Sequence, residues 1–189
     1  MSLIGNYTLD AQGVVPVKDI KLVENGILKS LLSSRVPTKK VKGSTGSLRF
    51  GVIPRSITKA VAPGTLIVSA PGGASSSELK TQLINAAIEE GLDYAYIVRT
   101  FADETDQYLY KVSVKDGSET LVTGAEISPI QFIKLKRVLG VSKDEMAFNY
   151  LYKGSIPTSI IAPKSVLIED IEIMNKPMNV QKESPLIAK

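Results

Sequence analysis

The stretch Val17–Arg35, VKDIKLVENGILKSLLSSR, decides the fold prediction for this chain. At its centre stands Asn25-Gly26, a pair typical of a two-residue hairpin turn in which both central residues need positive φ. Apolar residues lie on both sides of the pair: Val17, Ile20, Leu22 and Val23 before it, and Ile27, Leu28, Leu31 and Leu32 after it. The stretch therefore predicts strand, turn and strand, and its imperfect alternation predicts bulges or burial on two sides.

The composition is that of a globular protein with one main domain. The chain has 189 residues, of which 43% are hydrophobic and 22% are charged, and that length can bury a sizeable core. We expect a single strand-rich domain over residues 1–175 and a polar tail over residues 176–189. The net charge of +4 is too small to imply nucleic-acid binding by itself.

Two residue types are absent, and their absence limits the chemistry of the chain. Without cysteine or histidine there can be no disulfide, no Ser-His-Asp or Cys-His catalysis, and none of the usual zinc ligands. Carboxylates can still act as acids or bases, and Glu24, Asp93, Glu126 and Glu169 are candidates. Nothing in the sequence brings two of them together, so we predict no catalytic and no metal-binding residue.

Strand patterns dominate the rest of the chain, with two helices between them. Ser75 and Glu78 form a capping-box pattern that begins the first helix, and Gly91 ends it; a second helix is predicted over Pro129–Leu139, followed by Gly140. The further strands are predicted at Thr65–Ala70, Tyr94–Phe101, Tyr108–Val114, Glu119–Ile127, Met146–Tyr152, Ser159–Ala162 and Ser165–Ile173. Eight or nine strands and frequent hairpins indicate an α+β, mainly β fold, with antiparallel sheets forming a sandwich or partly open barrel and two flanking helices.

A basic arm over residues 35–59 carries seven Lys or Arg residues and no acid. Its glycines and prolines predict a long, partly ordered loop. The arm is either a solvated surface loop or a site for anions or a partner. The candidate binding residues are Arg35, Lys39, Lys40, Lys42, Arg49 and Arg55. Phe50 is the only aromatic residue of the arm, which makes base stacking on a nucleic acid unfavourable.

An ordered set of short motifs spans nearly the whole chain. They are Asp10-x-x-Gly13, Leu22-Val23-Glu24-Asn25-Gly26-Ile27-Leu28, Ser33-Ser34-Arg35, Gly43-Ser44-Thr45-Gly46 with Arg49, Ile53-Pro54-Arg55, Ala62-Pro63-Gly64, Gly91-Leu92, Gly124-Ala125 and Ser165-Val166-Leu167-Ile168-Glu169. This set resembles the C-terminal domain of the TldD/PmbA family, also called modulators of DNA gyrase, which includes metalloproteases acting on peptides or unfolded chains. The resemblance implies a zinc motif, His-Glu-x-x-x-His, in an N-terminal part that is not in this sequence, and no cofactor in this chain. Arg35, Arg49 and Arg55 fall within the matched motifs and are candidates for binding backbone carbonyls or a partner's acids.

The resemblance implies a non-catalytic C-terminal domain of a TldD/PmbA-type peptidase complex, contributing to subunit assembly and peptide access. The expected partners are the N-terminal part of the same protein, a related subunit in a homo- or hetero-oligomer, and unfolded peptides. No stretch approaches the roughly 20 apolar residues of a membrane span, and no signal peptide is visible, so we expect a cytoplasmic location without membrane contact. Two alternatives stay open: a stand-alone module that binds anions or nucleic acid through residues 35–59, and an enzyme built on carboxylates.

Overall fold

The computed structural model describes residues 2–37, 39, 41–54, 56–100, 107–130 and 137–175. The chain divides into two compact units, Met1–Pro71 with Glu145–Lys164, and Gly72–Asp144 with Ser165–Lys189. The fold class is confirmed as α+β and mainly β, since the described residues contain fourteen strands and one helix. These strands form sheets of only two or three members. Whether residues 1–175 fold as one domain stays a prediction.

The first unit contains seven strands. They are β1 Val23–Glu24, β2 Ile27–Leu28, β3 Leu48–Ile53, β4 Ser56–Val61, β5 Thr65–Ile67, β11 Glu145–Tyr152 and β12 Ile156–Pro163. Strands β1 and β2 pair with each other, as do β3 and β4, while β11, β12 and β5 form a three-stranded sheet in that order. The β12–β5 pair is parallel, an exception to the antiparallel pairing that the sequence predicted.

The predicted turn at Asn25-Gly26 is confirmed, with φ of 51° and 74°, but only two residues on each side of it pair as strands. The flanks of the Val17–Arg35 stretch bond elsewhere. The amide of Val17 donates to the carbonyl of Thr45, and that of Ser33 to the Thr45 hydroxyl. The hairpin continues as far as Leu22, whose carbonyl accepts from the amide of Lys29 at 2.8 Å. Beyond these residues the predicted long hairpin is wrong, because its flanks are tied to the Gly43–Gly46 motif.

The prediction of a loop over the whole basic arm is also wrong. Its second half is an antiparallel hairpin of β3 and β4, with Val52 opposite Ile57. Period-2 apolar residues at 48, 50 and 52 specify a strand, and the basic residues among them concealed that pattern. Lys40 and Arg55 lie outside the described residues.

The second unit contains the helix and the other strands. They are α1 Ser76–Glu89, β6 Tyr94–Thr100, β7 Gln107–Ser113, β8 Glu119–Val122, β9 Ala125–Ile127, β10 Val138–Val141, β13 Val166–Ile168 and β14 Ile173–Asn175. The order β6–β7–β8 makes one antiparallel sheet, and β10–β13 and β9–β14 make two-stranded ones. Leu79 and Ala87 of α1 and Ala95, Leu109 and Val112 of the sheet are buried. The predicted strand over residues 165–173 is thus two separate strands, and that over residues 119–127 is likewise divided into β8 and β9.

The first predicted helix is confirmed together with its cap. The Ser75 hydroxyl accepts from the amide of Glu78, and the Glu78 carboxylate accepts from the amide of Ser75 at 2.7 Å. The second predicted helix, Pro129–Leu139, is wrong at its C-terminal end, where Val138 and Leu139 belong to β10. Gly140 pairs with Leu167 of β13 instead of ending a helix, because long-range strand pairing prevails over local helical pattern. Residues 131–136 of that prediction lie outside the described residues.

Candidate functional site

Arg49 lies in the first unit and is 8% exposed. Its guanidinium donates to three backbone carbonyls, those of Gly5 at 3.3 Å, Pro63 at 3.4 Å and Pro157 at 3.0 Å. The guanidinium carbon also lies 4.0 Å from the centroid of the Tyr7 ring. Burial lowers the pKa of Arg49, but a guanidinium stays protonated at any pH at which the protein is folded.

The setting of Arg49 is that of a structural cation. Within the described residues no carboxylate lies at ion-pair distance from it. A buried charge needs its hydrogen bonds satisfied, and here backbone carbonyls and an aromatic face satisfy them. Of the two roles that the sequence left open for this arginine, the structure supports the binding of backbone carbonyls.

The other candidate basic residues are not gathered into a site. Arg35, Lys39 and Lys42 are exposed, and no ion pair forms at any of them within the described part of the chain. Lys40 and Arg55 cannot be placed, since they lie outside the described residues. Anion or partner binding by these residues therefore stays a prediction, and nothing in the structure adds support to the stand-alone anion-binding module.

Motif residues that are far apart in sequence are joined through their polar side chains in the first unit. The buried Asp10 carboxylate accepts from the amides of Gln12 at 2.8 Å, Val14 at 2.9 Å and Leu48 at 3.3 Å. Ser33 and Thr45 exchange three bonds between backbone and hydroxyl groups at 2.7–3.0 Å, and their hydroxyls are 3.4 Å apart. The sequence analysis assigned these residues to motifs but did not predict their contacts. Small polar residues beside glycines were the available signal, because such residues bond to nearby backbone.

The β3–β4 hairpin has an inverted pattern of polarity. On one face, Arg49, Gly51, Thr58 and Ala60 are buried or half-buried, whereas the other face is mostly apolar and exposed and carries one cation, Lys59. The exposed fractions are 53% for Phe50, 68% for Val52, 64% for Ile57 and 41% for Val61. A two-stranded ribbon with one face in water normally carries polar residues there. We call these four residues the outward face. Sequence reasoning missed it, although their alternation with the buried residues was the signal.

Strand β11 presents a long free edge. All eight residues, from Glu145 to Tyr152, pair with β12 on one side. On the other side, no residue from Glu145 to Tyr150 forms a backbone hydrogen bond with any described residue. Such an edge offers unpaired N–H and C=O groups to an added strand.

The carboxylates do not assemble into a catalytic or metal centre in the described residues. No group of three or more Asp or Glu side chains is placed there to hold a metal ion. Glu24 is ion-paired with Lys21 and Lys29, Glu126 belongs to β9, and Glu169 lies 4.0 Å from Arg137. Asp93 is the only acid among the described residues of a shallow pocket on the β6–β7–β8 sheet. Zinc does not fit this chain, because histidine and cysteine are missing from its whole sequence.

A cluster of three charged side chains in the second unit also has a structural role. Glu119 of β8 accepts from Lys80 of α1 at 2.8 Å and lies 2.7 Å from Arg99 of β6. The hydrogen bond from Lys80, with a smaller contribution from Arg99, lowers the pKa of the Glu119 carboxyl. This cluster joins the helix to the sheet inside the second unit.

Comparison with protein families decides the identity. The family model described as the PmbA/TldA metallopeptidase C-terminal domain matches residues 2–175. The chain belongs to this family. The TldD/PmbA resemblance of the motifs is therefore confirmed, and it implies that full-length family members have an N-terminal part as well. No curated protein and no solved structure was found to match the chain. Within the described part of this PmbA/TldD domain, no helix has the length and apolar character needed to cross a membrane.

Proposed function

We propose that this chain is a non-catalytic C-terminal domain of a PmbA/TldD-type peptidase complex and contributes to subunit assembly and peptide access. The observation that carries the proposal is the outward face of the β3–β4 hairpin, where Phe50, Val52, Ile57 and Val61 are exposed together. Exposed apolar surface of this kind, interrupted here by Lys59 opposite Phe50, marks protein interaction sites in soluble proteins.

The structural role of Arg49 supports assembly through this face. Because Arg49 fixes one side of β3 to three backbone carbonyls, the apolar residues that alternate with it must point away. Burying them against a partner removes apolar area from water at roughly 25 cal/mol per Å². The proposed partner is a related subunit, in a homo- or hetero-oligomer, or the N-terminal part of the same protein, which would also hold any zinc.

The free edge of β11 supports peptide access. An extended peptide can add to such an edge through backbone hydrogen bonds, which tolerate many side chains. The edge offers six residues, Glu145 to Tyr150, whereas β13 and β14, which cover the stretch that the sequence pointed to, have three residues each. A peptidase complex that acts on unfolded chains needs to bind peptides of many different sequences.

Sedimentation velocity over a wide concentration range tests the assembly role. The unaltered chain is expected to self-associate, and the Val52→Ser/Ile57→Ser variant is expected to stay monomeric. The matched control is Val15→Ser/Val17→Ser, which changes two exposed valines outside the hairpin and should leave association unchanged. A strict monomer at every concentration, for the unaltered chain alone and mixed with a related subunit, would contradict the assembly role.

Amide exchange with and without an unstructured peptide tests peptide access. Protection is expected to rise in β11, while the central strand β7, already paired on both sides, serves as the internal control. If β11 gains no protection at saturating peptide, this part of the proposal fails and the assembly role is unaffected.

A further inference from the structure

Residues 2–7 lie across one face of the β11–β12–β5 sheet. Three polar side chains on neighbouring strands form a row there, since Asn149 pairs with Ser159 and Ser159 pairs with Thr65 in the sheet register. Ile4 bonds to Asn149, Gly5 to Ser159 and Asn6 to Thr65. The segment therefore runs across the strands, one residue to each.

The row holds the segment mainly through its backbone. Asn149 accepts from the amide of Ile4 at 3.3 Å and donates to the carbonyl of Ser2 at 2.9 Å. Ser159 accepts from the amide of Gly5 at 3.0 Å. Arg49 donates to the carbonyl of Gly5 at 3.3 Å. An amide side chain that bonds both an N–H and a C=O of one segment recognises the backbone of that segment, whatever its side chains.

The surroundings of the segment restrict which side chain fits at two of its positions. A Cβ at Gly5 would lie 1.9 Å from the carbonyl oxygen of Gly64, so only glycine fits beside Ser159. Two residues later, the Tyr7 ring lies against the Arg49 guanidinium, and its hydroxyl donates to the carbonyl of Gly46 at 2.8 Å. The contact therefore selects glycine followed two residues later by tyrosine, and the backbone hydrogen bonds accept other side chains at the remaining positions.

We propose that Asn149, Ser159, Thr65 and Arg49 form a peptide cradle, which residues 2–7 occupy as an intramolecular ligand. Its ligand class is a peptide that turns as Ile4-Gly5 does, with glycine followed two residues later by an aromatic residue. Two of the five bonds from the cradle to the segment are 3.3 Å long and the other three are 2.9–3.0 Å, so a competing peptide can replace them one for one. The cradle uses the Asn149 side chain of β11, whereas the free edge of β11 offers backbone groups, and the test of the cradle does not depend on the proposed assembly role.

The full chain with Gly5→Ala provides the test, because the added methyl group expels the segment and opens the cradle. A fluorescent peptide of sequence LIGNYTL is expected to bind this variant saturably, and at least tenfold more weakly to the unaltered chain, whose cradle is filled. The same peptide with alanine in place of its glycine is expected to bind at least tenfold more weakly to the variant. Adding Asn149→Ala should weaken binding at least tenfold, whereas adding Asn85→Ala, on the exposed side of α1, should not change it.

The result that overturns the proposal is no saturable binding to the Gly5→Ala chain, or equal binding of the glycine and alanine peptides. If circular dichroism shows that Gly5→Ala is unfolded, exchange of the Gly5 amide in the unaltered chain decides instead. Excess peptide is expected to accelerate that exchange, and an unchanged rate overturns the proposal. A third outcome is that the unaltered chain dimerises and Gly5→Ala abolishes the dimer. The cradle would then bind residues 2–7 of a second copy of the chain, and this result would also overturn the assignment to a separate peptide.

Discussion

The guanidinium of Arg49 packs on the Tyr7 ring with a separation of 4.0 Å, and this contact joins β3 to a segment more than forty residues earlier in the chain. Arg49 also bonds to the carbonyls of Gly5 and Pro63 on either side of the hairpin sequence, and to that of Pro157 in β12. One side chain thus fixes the orientation of the β3–β4 hairpin, and with it the direction of the outward face.

Replacing Arg49 is expected to destabilise the first unit. Arg49→Gln leaves carbonyls without their donor in a buried setting, which costs about 2 kcal/mol or more in the free energy of unfolding. Lys59→Gln, on the exposed face of the same hairpin, is the matched control and should change that free energy by less than about 0.5 kcal/mol. Urea denaturation measures both, and equal values for the two variants would contradict the structural role of Arg49.

A substitution at Gly51 tests how closely the β3–β4 hairpin packs on the turn between β11 and β12. A Cβ there would lie 2.3 Å from the Ser155 carbonyl oxygen, so Gly51→Ala forces backbone apart and is expected to cost about 1–3 kcal/mol. Gly43→Ala in the same arm is the control, because a Cβ at Gly43 meets no atom within 4 Å. Thermal unfolding compares the variants. A melting temperature unaffected by Gly51→Ala would show that the hairpin is not seated on Ser155.

The Asp116 carboxyl leads to a prediction for how stability depends on pH. Hydrogen bonds from the Ser118 hydroxyl and amide lower the pKa of this carboxyl from 3.8 to about 2. Because the folded value is the lower one, the stability that Asp116 contributes is complete above pH 3.8 and is lost as the pH falls towards 2. A carbon-detected NMR titration should place the midpoint near 2 and, for Ser118→Ala, closer to 3.8. Ser76→Ala is the control, and a Ser118→Ala midpoint that does not move would contradict the assigned cause.

Local signals in the sequence predicted those elements that local chemistry decides. The cap formed by Ser75 and Glu78 and the turn at Asn25-Gly26 depend on residues within a few positions of one another, and both are confirmed. Strand β11 was predicted because apolar and aromatic residues surround Asn149 in a short run, Met146–Tyr152. The family resemblance was likewise carried by short motifs in the right order.

Features that depend on distant contacts could not be predicted in the same way. The burial of Arg49 needs carbonyls from Gly5, Pro63 and Pro157, and no local pattern brings these residues together. Val138 was assigned to a helix by its neighbours, but its partner Ile168 in β13 makes it a strand residue. The outward face was recognisable in principle, because apolar residues alternate there, but a run of positive charge favoured the loop interpretation.

The central claim, that this PmbA/TldD domain is non-catalytic by itself, is tested most directly by peptide hydrolysis. The isolated chain is incubated with zinc and an unstructured peptide, and cleavage products are followed by mass spectrometry while calorimetry measures zinc binding in the same preparation. The account predicts no cleavage and no one-to-one zinc site tighter than about micromolar, since zinc sites in proteins are built mainly from histidine and cysteine and this chain has neither. Cleavage that rises in proportion to the concentration of the chain, and persists through successive purification steps, would contradict it.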